Sequence, residues 1–168
     1  MPDDTTAAPP SDTQGPRLDA KLLKEYRDTD YWIGSEPPLV VQIDQTSAEA
    51  AALLARLGVA SAVSITAWNP FSQLLNEGDN AARQDRLRTR LEALGLRWMP
   101  AAGRDRDQRW PEERGLFVPG IDAALGAALL DEFEQNALVF LDSDGHVSLQ
   151  FHPALTASHI ARVAREAQ

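Results

Sequence analysis

Three short groups of residues hold most of the chemistry this chain could do. Trp68, Asn69, Ser72 and Gln73 lie together in ITAWNPFSQ, Ile65 to Gln73. Trp110 and Glu112 fall just ahead of GLFVP, and Gln135 and Asn136 follow an apolar stripe. Amides donate and accept hydrogen bonds and an indole offers a stacking face, so the set suits recognition of a polar molecule better than acid–base work. Arg83, in the first turn of a helix that Asp79 or Asn80 can cap, would add a guanidinium for an anionic group. Each group also has a plain structural use: Asn69 before Pro70 forms turns, the two tryptophans can be half-buried anchors, and Asn136 can close a helix in left-handed dihedrals. All three groups stand at element ends, so folding can bring them to one mouth.

Catalysis would need a group that titrates near neutrality. Glu112 or Glu113 could act as general base if desolvation raised its pKa from about 4.3, and Trp110 is close enough in sequence to supply apolar surroundings. In such a hydrolase or transferase Arg83 would stabilise developing negative charge, while Asn69 and Asn136 orient the substrate. No histidine is placed with these groups, so binding of a small polar or anionic ligand, or of a protein partner, carries more weight.

The remaining candidates are ordinary. His146, His152 and His159 fall in a hairpin, at a strand end and on a terminal helix, which is no ligand set, and Asp142, Asp144 and Gly145 lack the long acidic loop of a calcium site. Neither a Walker loop, a G-x-G-x-x-G nor a G-x-S-x-G is present. No metal or other cofactor is expected. Arg83, Arg86, Arg88 and Arg90 share their helix with Asp79, Asp85 and Glu92, which reads as a solvated face, Arg83 excepted.

The elements that must position these residues follow from periodicity. Helical spacing runs from Leu18 to Tyr26, from a Thr46/Glu49 capping box to Gly58, through Leu87, Leu91 and Leu94 to Gly95, from Asp122 through Leu125, Leu129 and Phe133, and from about Thr156 through Ile160 and Val163. Strands are expected at Tyr31 to Ile33, Leu39 to Ile43, Ala60 to Ala67, Leu96 to Ala101, Gly115 to Pro119, Ala137 to Leu141 and Val147 to Phe151, with Gly103 to Gln108 a loop. Early interleaving and a closing hairpin predict an α+β single domain: a mixed β-sheet covered by about three to five helices, then a C-terminal hairpin followed by a helix.

Composition bounds the rest. The chain has 168 residues, 43% of them hydrophobic, enough for one core, with residues 18–168 as the globular domain and 1–17 as a disordered acidic, proline-rich tail. Sixteen Lys and Arg against twenty-five Asp and Glu give a net charge of -9, which disfavours nucleic acid and leaves docking of a basic partner by the acidic surface as a third reading. No cysteine, no secretory signal pattern and no long apolar run are present, so the expectation is a soluble, cytoplasmic protein without a membrane role. Its oligomeric state is not encoded in any pattern we recognise.

The run Ile65-Thr66-Ala67-Trp68-Asn69-Pro70, then Asn80 with Arg83, Gly103, Trp110-Pro111-Glu112 and Phe133-Glu134-Gln135-Asn136-Ala137 resembles the bacterial domain of unknown function 3293 family, over roughly Tyr26 to Phe151. The resemblance implies a small stand-alone bacterial protein and marks the matched amides as the polar part of the pattern; it assigns no activity. Glu134 stands where the family usually has Gly, so the backbone at that helix end is restricted here and a site beside it altered.

Overall fold

The computed structural model describes residues 14–168. Of the expected tail, residues 1–13 lie outside the described residues, while Arg17 and Leu18 already dock onto the domain: the Arg17 amide donates to Asn136 Oδ1 at 2.7 Å and Leu18 is buried.

Among the described residues seven strands and five α-helices follow one another in chain order: α1 (Ala20–Arg27), β1 (Thr29–Ile33), β2 (Leu39–Val41), α2 (Ala48–Leu57), β3 (Ser61–Ile65), α3 (Glu77–Ala93), β4 (Met99–Asp105), β5 (Glu113–Pro119), α4 (Ala123–Glu132), β6 (Ala137–Asp142), β7 (Val147–Phe151) and α5 (Ala157–Glu166). The α+β class, the helical cover and the final hairpin and helix are as expected. The sheet, ordered β2-β1-β4-β5-β3-β6-β7, is antiparallel at every pairing rather than mixed. The reason lies in the crossovers. Helix α3 joins β3 to β4 with β5 between them, and α4 joins β5 to β6 with β3 between them, so each helix links strands that point the same way without pairing. The segment β3-α3-β4-β5-α4-β6 thus has ferredoxin-like, split βαβ connectivity.

Local chemistry sets most boundaries. Asp19, Ser47, Asn76, Asp122 and Thr156 cap the five helices, each side chain accepting a backbone N–H of the first turn. Two caps differ from expectation. Helix α2 is capped by Ser47, because Thr46 instead bridges to His146; α3 starts a few residues early on Asn76. Strands β4 and β5 are also displaced: β4 extends through Gly103 to Asp105, and β5 begins at Glu113. The polar run after Ala101 pairs as strand because β1 and β5 flank it on both sides.

The helices form two layers. On one face α3 and α4 bury Leu87, Leu91, Leu129 and Leu130 against Val63, Ile65, Leu116 and Val118. On the other, α2 packs Leu53 and Leu54 on Ile33, Ala101, Phe117 and Leu141, while α1 and α5 close on each other and on Leu149 and Phe151. Helix α2 covers one end of that face. Between α1 and the rest of it the sheet is not filled, and there the polar residues collect.

Candidate functional site

A cavity of about 450 Å³ lies between α1 and the sheet, within the range of small-molecule sites. Its floor is made by alternate positions of paired strands. Tyr31, Gly103 and Glu113 stand side by side across β1, β4 and β5, and Gly115 and Ser64 lie in the neighbouring rows. Gly103 supplies room: a Cβ there would already touch Thr29 Cγ2 at 3.4 Å and the Tyr31 ring at 3.8 Å. At Gly115 a Cβ would come within 2.9 Å of the Ile65 carbonyl oxygen, so the sheet itself requires glycine.

The side walls come from α1 and from the chain leaving β3. Tyr26 and Leu22 line the α1 side, with Arg17, Lys21 and Glu25 also on the lining. After Ile65 the chain enters a tight, unusual turn, Pro70–Ser72, in which Asn69, Phe71 and Ser72 all have positive φ, at 49°, 48° and 62°. Three non-glycine residues in left-handed conformation among four is costly backbone, of order 1 kcal/mol or more each, and persists only when contacts over-determine it. Those contacts are present. The Phe71 amide donates to the Glu134 carbonyl at 2.6 Å and buried Phe71 packs edge-on against His152. Asn69 Oδ1 accepts from the Leu75 amide at 3.1 Å and from Asn80 Nδ2 at 2.9 Å, while Asn80 Oδ1 accepts from the Asn69 amide at 2.8 Å.

Six of the sequence candidates line this cavity: Trp68, Asn69, Ser72, Trp110, Gln135 and Asn136. Their amides act mainly as struts. Asn136 spends Oδ1 on the Arg17 amide and Nδ2 on Ser72 Oγ at 3.0 Å, and Gln135 Nε2 donates to the carbonyls of Trp68 and Phe133. Asn80 is buried behind Asn69 and does not reach the cavity wall. Arg83 is likewise turned to the backbone: Nε donates to Ala67 O at 2.7 Å, Nη2 to Phe133 O at 2.6 Å, and Nη1 pairs with Glu134 at 3.4 Å, with the side chain only 12% exposed. It staples the end of β3 to the end of α4. Gln73 is exposed beyond the turn.

Glu112 points to the opposite side of the sheet, where it pairs with Arg104 at 2.5 Å beside Trp32. The carboxylate inside the cavity is that of Glu113. Strand β5 starts at this residue, and alternation along a strand sends neighbours to opposite faces, which a reading of Glu112 as part of a loop could not resolve. Burial pushes the Glu113 carboxyl up to about 7 from an ordinary 4.5, opposed by a long hydrogen bond from Asn69 Nδ2 at 3.5 Å. Burial also raises the hydroxyls of Tyr26 and Tyr31 far above their usual value; Glu113 adds to the effect on Tyr26, and Tyr26 to that on Tyr31. Both are neutral hydroxyls at any ordinary pH.

Just before Trp110, Arg109 donates from its backbone and side chain to Asp105, which holds that carboxyl down at about 2 and locks the β4–β5 turn. The indole Nε1 atoms of both Trp68 and Trp110 are buried without a hydrogen-bond partner among the described residues. Unpaired buried donors cost about 1–3 kcal/mol each, so two on residues of one cavity wall are an expensive arrangement for a purely structural role. Arg17, Lys21, Tyr26 and Tyr31 were missed by sequence reasoning. Tyr26 falls in the apolar spacing of α1 and reads as core, and nothing local distinguishes Arg17 from the polar segment before it.

Among the described residues no group of three His, Asp or Glu side chains could hold a metal ion, and no helix is long and apolar enough to cross a membrane. His152 is engaged with Asp131 at 3.1 Å, His159 with the Leu18 carbonyl, and His146 with Thr46.

Fold and cavity together define a small α+β protein with a ligand-sized hollow between α1 and the sheet. Residues 65–138 match the model of the family described as "Protein of unknown function (DUF3293)", which supports the resemblance to the domain of unknown function 3293 family over that span. The matched span runs from the end of β3 to the start of β6, and so contains the strained turn, α3, Arg83, Glu113 and Asn136. Neither curated proteins nor solved structures give a match to the chain.

Proposed function

We propose that this chain is a binding module that takes a small polar molecule into the cavity between α1 and the sheet, in a cytoplasmic bacterial setting. The observation that carries the reading is Glu113: a carboxyl placed on the cavity floor, poorly solvated and, among the described residues, answered only by Asn69 at 3.5 Å. A folded chain gains nothing by keeping such a group unless something outside the protein answers it. The unpaired indoles of Trp68 and Trp110 and the strained turn at Asn69 support the same reading, since strain and unmet hydrogen bonds collect at ligand sites. Leu74, 88% exposed at the cavity edge, would gain cover from an occupant.

A second reading is favoured by one observation. A carboxyl that titrates at about 7 can both take and give a proton at neutral pH, as a general acid–base would. Under it Glu113, not Glu112, is the base, and Arg83, which is bonded to Ala67, Phe133 and Glu134 and does not line the cavity, takes no part in stabilising charge.

Thermal-shift screening of the full chain against a metabolite library tests the first reading, with Gly103→Val as the blocked control. Stabilising compounds are expected for the native chain and none for the variant, whose far-UV circular dichroism should be unchanged. Equal stabilisation of both chains would move the site elsewhere. If a hit is converted to product, Glu113→Gln should abolish turnover, and unaltered turnover would remove Glu113 from the chemistry.

A further inference from the structure

The cavity's cations stand at its edge, where Glu25 also lines it and Asp19 pairs with Arg17 at 3.6 Å. Glu113 lies on the floor, in one row with Gly103 and Tyr31, and Tyr26 lines the cavity from α1. Among the described residues no cationic side chain pairs with it, whereas Glu112 next to it is paired with Arg104. The lining's two cations are Arg17 and Lys21, both exposed, on the segment that enters α1; Glu25 follows Lys21 by about one turn. Arg17 is held at this edge by its amide on Asn136 and its Nε on the Phe71 carbonyl. Tyr26, on α1, lines the cavity together with Glu113 and Arg17.

We propose that the cavity takes a small zwitterion of the amino-acid class, its ammonium against Glu113 and its carboxylate toward Arg17 and Lys21. This rests on the cavity being a ligand site and goes on to say what kind of ligand it holds. An ammonium supplies the countercharge that Glu113 lacks, and the faces of Trp68, Trp110, Tyr26 and Tyr31 around the cavity attract a cation further. An ammonium donates three hydrogen bonds in a tetrahedral spread, which a carboxylate and tyrosine hydroxyl oxygens can accept. At the mouth a carboxylate meets a guanidinium fork and a lysine in a partly solvated place, where an ion pair costs little desolvation. A monoanion without an amine would instead bring a second negative charge to Glu113 at neutral pH.

The experiment is a thermal-shift panel of the twenty standard amino acids on the full chain at pH 7.5. The best is followed by calorimetry alongside its decarboxylated amine and its deaminated acid. The amino acid should bind tightest. Glu113→Gln should weaken the amine roughly thirtyfold or more while leaving the acid within a fewfold, and Arg17→Ala should do the reverse. No stabilisation by any amino acid, or an amine whose affinity ignores Glu113→Gln, overturns the proposal. A library compound lacking an amine that stabilises the native chain but not Gly103→Val would overturn it while leaving the ligand site standing. Silence from both amino acids and library would take down the two together.

Discussion

Asn69 Nδ2 stands 3.5 Å from Glu113 Oε2, a bond at the outer limit of length between a residue of a strained turn and one on the sheet floor. The same amide's oxygen accepts from Leu75 and Asn80, so one side chain ties the turn to the start of α3 and to the cavity. Asn69→Ala should therefore lose about 2–4 kcal/mol in urea denaturation, from unmet donors and a left-handed backbone that Ala tolerates poorly. It should also raise the Glu113 pKa further, because the bond it removes is the one that lowers it. A stability change below about 0.5 kcal/mol would show that the turn is held by other contacts.

Glu113→Gln addresses the cost of the buried carboxyl. Below pH 4.5 the group is protonated folded or unfolded and contributes no difference. Between 4.5 and about 7 the unfolded chain gives up its proton first, so native stability falls as pH rises, and above 7 the full penalty stands. The variant should thus match the native chain near pH 4 and exceed it by about 3 kcal/mol at pH 8, the linkage of a carboxyl raised from 4.5 to about 7. Parallel pH–stability curves would contradict this.

Arg83→Gln should be a folding variant. It strands the carbonyls of Ala67 and Phe133 and loosens the tie between β3 and α4, at about 2–4 kcal/mol, read as a fall in melting temperature. Ligand affinity, measured below the transition, should stay within about threefold, since Arg83 does not line the cavity. A large affinity loss with unchanged melting would restore it as a ligand contact.

The sequence made the seven strands, the five helices and the α+β class legible because each is written in local periodicity and in caps such as Asp122 and Gly58. It also pointed to Trp68, Asn69, Ser72, Trp110, Gln135 and Asn136, which folding does bring around one cavity. It could not separate Glu112 from Glu113, since that depends on where β5 starts and hence on which face each residue takes. Nor could it show that Arg83 is consumed by carbonyls 16 and 50 residues away, a matter of tertiary contact alone. The antiparallel sheet was hidden for the same reason: a helix between two strands does not say whether a third strand pairs between them.

Glu134 has a backbone conformation unusual for its residue type. It adopts φ 53°, the conformation that favours glycine, and its carbonyl accepts the Phe71 amide while its side chain reaches Arg83. Glu134→Gly should relieve about 1 kcal/mol of backbone strain and forfeit a half-exposed ion pair of at most about the same size. The expected net change in unfolding free energy is within about 0.5 kcal/mol, with the turn preserved. Destabilisation beyond about 2 kcal/mol would mean that the Arg83 pair, not the backbone, governs this corner.

The central claim is that Glu113 occupies a poorly solvated ligand cavity. Carbon-13 NMR titration of its side-chain carboxyl in the unliganded chain tests it most directly. The expected midpoint is about 7, moving downward when an amine binds. A midpoint at the ordinary 4.5, unchanged by any added compound, would mean that water already answers the carboxyl and that the hollow beneath α1 is not a site.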